Sequence, residues 1–171
     1  GTPSLIKPQW IDKILNTLNN NFNISDGTEI TMETNPGESP IEYLRDYKNI
    51  GVNRLSIGFQ SFDSKILQFL DRIHSPENCF TIFRNALEVG FDNINIDLLF
   101  KIPGQSLNRW KQDLQVLMDL QPEHISLYSL TIEPGTPLQK EVQNRTVIMP
   151  PENTGIAMYD WALKYLHDHG Y

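Results

Sequence analysis

Four short segments of this 171-residue chain alternate between polar and apolar residues with a period of two, and this constrains the fold more than any other feature. One parity is polar: Thr31 and Glu33 in EITMETNP, Ser56, Gly58 and Gln60 in NRLSIGFQ, Asn93, Asn95 and Asp97 in NINIDLLF, and less cleanly Ser129, Thr131 and Glu133 in SLYSLTIE. The other parity is apolar, with Ile30 and Met32, then Leu55, Ile57 and Phe59, then Ile94, Ile96 and Leu98. Successive strand side chains point to opposite faces, so these segments predict a sheet with one polar and one apolar face. Helical patterns separate the strands, which makes the sheet parallel and sets the helices on its apolar face. The interior of an ordinary eight-stranded barrel is filled by branched apolar side chains. A polar inner face therefore points to a (β/α) barrel arranged around a polar small molecule.

Helix boundaries are marked along the chain. Pro8 starts a helix with Trp10, Ile11, Ile14, Leu15 and Leu18 at helical spacing, ended by Asn19, Asn20 and Asn21. Ser39 is placed to cap a second helix, with Pro40 in its first turn and Glu42 completing a capping box. Asp63, Ser75 and Ser106 open three more, and a last helix runs from about Pro151 to Gly170. Glu133 to Pro150 reads as a long polar loop at the C-terminal side of a strand, where barrel ligands bind and where a lid would sit. Four strand-helix units fall short of the roughly 250 residues of a full barrel. The chain thus reads as one unit, residues 1–171, of a partial parallel barrel cut at both ends.

Composition removes several classes of function. There are 14 basic and 21 acidic residues, a net charge of -7, and no Lys/Arg-rich stripe, which argues against a nucleic-acid partner. No apolar run approaches the roughly 20 residues that span a bilayer. With no targeting pattern at the N-terminus, the expected compartment is the cytosol. The single cysteine, Cys79, excludes an internal disulfide and any multi-thiolate metal site within these residues. It reads as a half-buried helix residue.

The phrasing of the chain adds a resemblance. Gly1-Thr2-Pro3-Ser4, Glu33-Thr34-Asn35-Pro36-Gly37, Ser56-Ile57-Gly58-Phe59-Gln60-Ser61-Phe62, Arg72-Ile73-His74, Asn95-Ile96-Asp97-Leu98-Leu99 and Thr131-Ile132-Glu133-Pro134-Gly135-Thr136 occur in order. Together they resemble the radical S-adenosylmethionine proteins of the oxygen-independent coproporphyrinogen III oxidase family, nearest its haem-chaperone branch. The resemblance implies a six-unit partial barrel, with a CxxxCxxC cluster motif before Gly1 and a further segment after Tyr171. It also implies S-adenosylmethionine and a 4Fe-4S cluster as cofactors, the cluster's ligands lying outside this chain, and porphyrin or haem as the small-molecule partner.

Residue by residue, the resemblance implies that Gly1, Thr2 and Pro3 line the cofactor site. Glu33 accepts hydrogen bonds from an ammonium or ribose, and Gln60, Arg72, Asp97 and Thr131 match positions that contact a second S-adenosylmethionine in the oxidase. Arg72 suits a two-pronged contact with a carboxylate, although Asp71 and Glu77 are alternative partners. In the oxidase, cleavage of the cofactor yields a radical that abstracts hydrogen from a propionate side chain. The cofactor supplies that chemistry, so no general base is required of these residues. With one thiol, the chain alone is expected to be inactive. Two other readings stay open: a haem chaperone whose radical domain is regulatory, and a barrel hydrolase or lyase using Glu33 and Asp97 as acid and base.

Overall fold

The computed structural model describes residues 2–171. Four strands, β1 (Thr31–Thr34), β2 (Arg54–Gln60), β3 (Ile94–Phe100) and β4 (His124–Ser129), form one sheet in the order β1-β2-β3-β4 with every pairing parallel. Parallel neighbours need crossovers, and helices supply them. The helices are α1 (Pro8–Asn21), α2 (Ile41–Asn49), α3 (Ser64–Phe69), α4 (Pro76–Val89), α5 (Leu107–Leu120), α6 (Pro137–Gln143) and α7 (Glu152–Asp168), after a 3-10 turn at Pro3–Leu5.

The apolar parity of the strands forms the core against the helices. Leu55, Ile57, Phe59, Ile94, Ile96 and Leu98 are all fully buried, joined by Leu44, Phe83, Trp110 and Leu117 from the helices. Trp110 meets its polar requirement within that core by donating its indole N–H to Met158 O at 2.9 Å, tying α5 to α7.

Most helix starts use the residues that mark them in the sequence. The Asp63 carboxylate accepts from Lys65 N and Ile66 N, Ser75 forms a capping box with Asn78, and the Ser106 hydroxyl accepts from Arg109 N. Ser39 differs. Pro40 occupies the N-cap of α2, and the Ser39 hydroxyl instead lies 2.8 Å from Thr34 Oγ1, so the expected capping box does not form.

Three other expectations are corrected. The Glu133-to-Pro150 loop contains α6, because Thr136 caps it and Pro137 takes the first helical position. β4 also lies earlier than the alternation suggests. Its register pairs Asp97 with Ser126 and Phe100 with Ser129, so His124, Ser126 and Tyr128 share the polar face. Ser129 falls on the helix parity, and Thr131 lies beyond the strand, exposed. Cys79 is fully rather than half buried.

Candidate functional site

The C-terminal ends of β1, β2 and β3 open into a cleft of about 310 Å³ lined by Thr2, Glu33, Thr34, Asn35, Ser56, Gly58, Gln60, Arg72 and Asp97. Five of the residues read from the sequence as site residues therefore meet there: Thr2, Glu33, Gln60, Arg72 and Asp97. Pro3 starts the neighbouring 3-10 turn, neither it nor Thr131 is among the lining residues, and Gly1 lies outside the described residues. Thr131 Oγ1 donates locally to Glu133 Oε1 at 3.1 Å.

Each wall is held by an identifiable contact. Tyr47 of α2, fully buried, directs its hydroxyl at Ser4 O (3.0 Å) and Ile6 O (2.7 Å), which fixes the segment carrying Thr2. Asn35 bridges the rim, its Nδ2 donating to Thr2 Oγ1 at 3.1 Å and Glu38 Oε2 at 2.8 Å. Thr34 is turned away into its bond with Ser39.

The floor is a network across β2, β3 and β4. Asn95 Nδ2 donates to Ser56 Oγ and to Asp97 Oδ1, both at 2.7 Å, and Ser56 Oγ reaches Asp97 Oδ2 at 3.3 Å. Ser126 Oγ donates to Asn95 Oδ1 at 3.0 Å, and His124 Nδ1 meets the same oxygen. Asp97 is thus oriented by its neighbours. The carboxylate of Glu33 has no hydrogen-bond partner among the described residues and is open to a ligand. Arg72 likewise has no ion-pair partner among them, so neither Asp71 nor Glu77 neutralises it.

Gln60 enters the cleft by a route that alternation alone does not describe. The β2–β3 register shifts between Gly58 and Gln60, so Gln60 sits opposite Leu98. It has φ 67°, and Ser61 N donates to Phe59 O at 2.8 Å, closing a γ-turn of the strained positive-φ kind around it. The side chain then folds back over Gly58, where an added Cβ would lie 2.6 Å from Gln60 Nε2 and 2.7 Å from Asn35 Oδ1. Gly58 is required for that close approach. His74, buried beneath this corner, donates its Nε2 hydrogen to Phe59 O at 3.2 Å, and burial lowers its pKa.

Signals in the sequence for Asn35, Asn95 and His124 were uneven. Asn95 shares the polar parity, whereas Asn35 follows the strand and His124 reads as structural or solvated. A second cleft of about 570 Å³, more apolar, lies where α6 faces the end of α3, between Phe69, Leu70, Pro137, Leu138 and Val147.

No cluster can be assembled from these residues. Cys79 is the single thiol, it is fully buried, and burial pushes its pKa up to about 12. Among the described residues there is no group of three His, Cys, Asp or Glu side chains placed to hold a metal ion. No helix among them is long and apolar enough to cross a membrane.

Known proteins share the sequence and the fold of this chain. The chain is 37% identical over its full length to Radical S-adenosyl methionine domain-containing protein 1, mitochondrial, of Danio rerio, covering 38% of that protein. It is 34% identical over 99% of its length to Heme chaperone HemW of Bacillus subtilis, covering 45% of it. It therefore spans less than half the length of these curated relatives. Among solved structures, coproporphyrinogen III oxidase (HemN) from Escherichia coli, a radical SAM enzyme, superposes over the whole chain with TM-score 0.86 at 25% identity, the match covering 39% of that protein. The four parallel strands and their helices are accordingly part of a partial, TIM-like radical SAM barrel. Residues 1–117 match the family model described as the Radical SAM superfamily, and the chain belongs to that superfamily.

Proposed function

We propose that this chain is the S-adenosylmethionine-binding part of a radical SAM protein, of the oxygen-independent coproporphyrinogen III oxidase-like kind, that acts in porphyrin or haem metabolism. The observation that carries this reading is the cleft itself, where Glu33 and Arg72, two oppositely charged groups without partners among the described residues, face a space bounded by amides and hydroxyls. S-Adenosylmethionine presents an ammonium, a carboxylate, ribose hydroxyls and a base, and this donor and acceptor set fits them. Glu33 accepts from the ammonium or ribose, Arg72 holds a carboxylate, and Gln60 and Asn35 serve hydroxyl or base edges. Thr2 closes the side nearest the N-terminal segment. Asp97, already oriented by Asn95 and Ser56, presents a fixed acceptor. The volume of about 310 Å³ is at the lower end of small-molecule pockets.

S-Adenosylmethionine would supply radical chemistry when bound, and Glu33, Arg72, Gln60 and Asn35 would bind and orient it. The 4Fe-4S cluster does not fit the residues present, since one buried thiol cannot replace several thiolates.

A second reading, a haem chaperone with the radical SAM unit in a regulatory role, is favoured by a specific difference. Relatives named Heme chaperone HemW are 34% identical over 99% of the chain in Bacillus subtilis and 40% identical over 80% of it in Escherichia coli, against 25% over the whole chain for the oxidase structure. The cleft beside α6, more apolar than the first although Asp71 and Glu141 also line it, offers a surface for a flat macrocycle in either case. The cytosol is the compartment that accompanies both readings, beside relatives in Danio rerio and Mus musculus whose names include "mitochondrial".

The site reading is tested by Glu33→Gln and Asp97→Asn. Loss of a charge-assisted hydrogen bond worth roughly 1.5 to 3 kcal/mol weakens affinity by about one to two orders of magnitude. Glu33→Gln is expected to show that loss in calorimetric titration with S-adenosylmethionine, with unchanged folding stability. Asp97→Asn disturbs the Asn95 and Ser56 network and is expected to cost more stability and less affinity. Unchanged affinity in Glu33→Gln beside abolished binding in Asp97→Asn would show the two strand ends assigned the wrong way round.

A further inference from the structure

Gln60 is held in a backbone region that non-glycine residues seldom occupy, and such a conformation persists only where its surroundings enforce it. The enforcing contacts come from α5, across the helix layer from the cleft. Asp113 is fully buried, and its two oxygens accept from the two residues that follow Gln60, Oδ2 from Ser61 Oγ at 2.7 Å and Oδ1 from Phe62 N at 3.2 Å. One turn earlier, Arg109 Nη2 donates to Phe62 O at 3.1 Å. Its Nε lies 2.9 Å from Asp63 Oδ2, a contact of charge rather than of aligned hydrogen-bond geometry. Asp63 N in turn donates to Ser61 Oγ at 3.0 Å. Ser61, Phe62 and Asp63 are therefore each tied to one face of α5.

Burying a carboxylate is costly, and apolar residues of similar volume often stabilise a core better. What this one provides is direction, because a hydrophobic side chain at position 113 would hold neither the Ser61 hydroxyl nor the Phe62 amide. We propose that Asp113 and Arg109 are positioning residues for the cleft, clamping the turn after β2 so that the carboxamide of Gln60 is held over Gly58 and presented to the ligand. The affinity part of this inference rests on reading the cleft as an S-adenosylmethionine site; the mechanical part does not.

The test separates positioning from stability. Ser61→Ala removes one arm of the clamp with a minimal change in volume, and Asp113→Asn removes the charge that faces Arg109. Each is made with Gln60 present and again in a Gln60→Ala background, and binding of S-adenosylhomocysteine is measured by calorimetry. Amide hydrogen exchange is followed in parallel at residues 61–63 and in the cores of β2 and β3. Each change is expected to lower affinity about fivefold or more with Gln60 present and by less than about twofold without it. Exchange should accelerate at Ser61, Phe62 and Asp63 while Ile57 and Ile96 are unaffected. Equal affinity losses in the two backgrounds would mean that the residues act on the whole fold, and would overturn the proposal. If the unaltered chain fails to bind the probe, the ligand reading falls and exchange alone decides. Local acceleration in Ser61→Ala then supports the clamp, and unchanged exchange at residues 61–63 overturns it.

Discussion

Gly58→Ala separates the cleft from the core with one methyl group. The φ of Gly58 is not in the left-handed region, so alanine is acceptable to the backbone there, and it reduces the freedom of the unfolded chain. The obstacle is local. The new Cβ would stand 2.6 Å from Gln60 Nε2 and 2.7 Å from Asn35 Oδ1, closer than real Cβ contacts allow. Both atoms end side chains that project into the cleft, so relief comes by swinging the two amides away from their positions. A displacement of that kind is expected to cost less than about 1.5 kcal/mol of folding stability, in the range of tolerated local repacking. On the proposed reading it also misplaces two groups that bind the ligand, each worth about 1 kcal/mol, so affinity for S-adenosylmethionine should fall by about tenfold or more. Urea unfolding and calorimetric titration on the same preparation measure both quantities. A stable variant with unaltered affinity would refute the placement of Gln60 and Asn35 in the ligand site. A stability loss above about 3 kcal/mol would show instead that this corner is close-packed interior.

Three further outcomes are expected. Burial raises the Asp113 pKa to about 6, against the smaller opposing pulls of Ser61, Phe62 and Arg109, with Asp63 reinforcing the rise and Cys79 also facing it. The folded state thus keeps a proton that the unfolded chain releases near the ordinary value of 3.8, and the stabilisation present below about pH 4 is lost as pH rises through about 6. Between those limits, unfolding free energies of the unaltered chain should fall relative to Asp113→Asn by on the order of 3 kcal/mol, and a pH-independent difference would refute the shift. His74, whose pKa burial lowers, contributes the opposite slope equally in both proteins. The exposed stripe of Trp10, Ile14 and Leu18 on α1 should drive self-association, which Ile14→Glu with Leu18→Lys relieves in light scattering; a monomer at all concentrations before mutation would count against it. Anaerobic treatment with iron and sulfide should yield no stoichiometric 4Fe-4S absorption, and a band surviving Cys79→Ser would contradict the ligand arithmetic.

Those parts of the fold that depend on neighbours in sequence were legible. Alternation in β2 and β3 assigns the buried face correctly, because Leu55, Ile57, Ile94 and Ile96 form an unbroken apolar parity beside polar neighbours. It fails in β4, where Ser126, Tyr128, Ser129 and Thr131 spread polar groups over both parities and the strand is only partly buried, so hydrophobicity does not set the register. Pro134, Gly135 and Pro137 suggest an unbroken loop, yet a proline after a threonine cap is also how a helix starts, and α6 takes that alternative. Ser39 had every local mark of a cap. Its hydroxyl pairs instead with that of Thr34, five residues earlier, while Pro40 takes the N-cap position.

The site shows the same division between local and distant causes, and Gln60 shows where it matters. Strict alternation along β2 places Gln60 on the polar face, which is where its side chain is found, but the strand bulges before reaching it. The side chain reaches the cleft because a γ-turn redirects it, and that turn is enforced by Asp113, whose partner Ser61 is 52 residues away in sequence. On a helix pattern Asp113 is one more polar position between Trp110 and Leu114, with nothing to distinguish it from a solvated face. Only packing shows that it is fully buried. Glu33 and Asp97, which line the cleft, are thus recognisable from residue type and position and Arg72 from the resemblance, whereas the groups that give Gln60 its direction become visible only when the helix layer is placed behind the sheet. A substitution on α5 that never touches the cleft should therefore alter binding more selectively than many substitutions that lie closer to it in sequence.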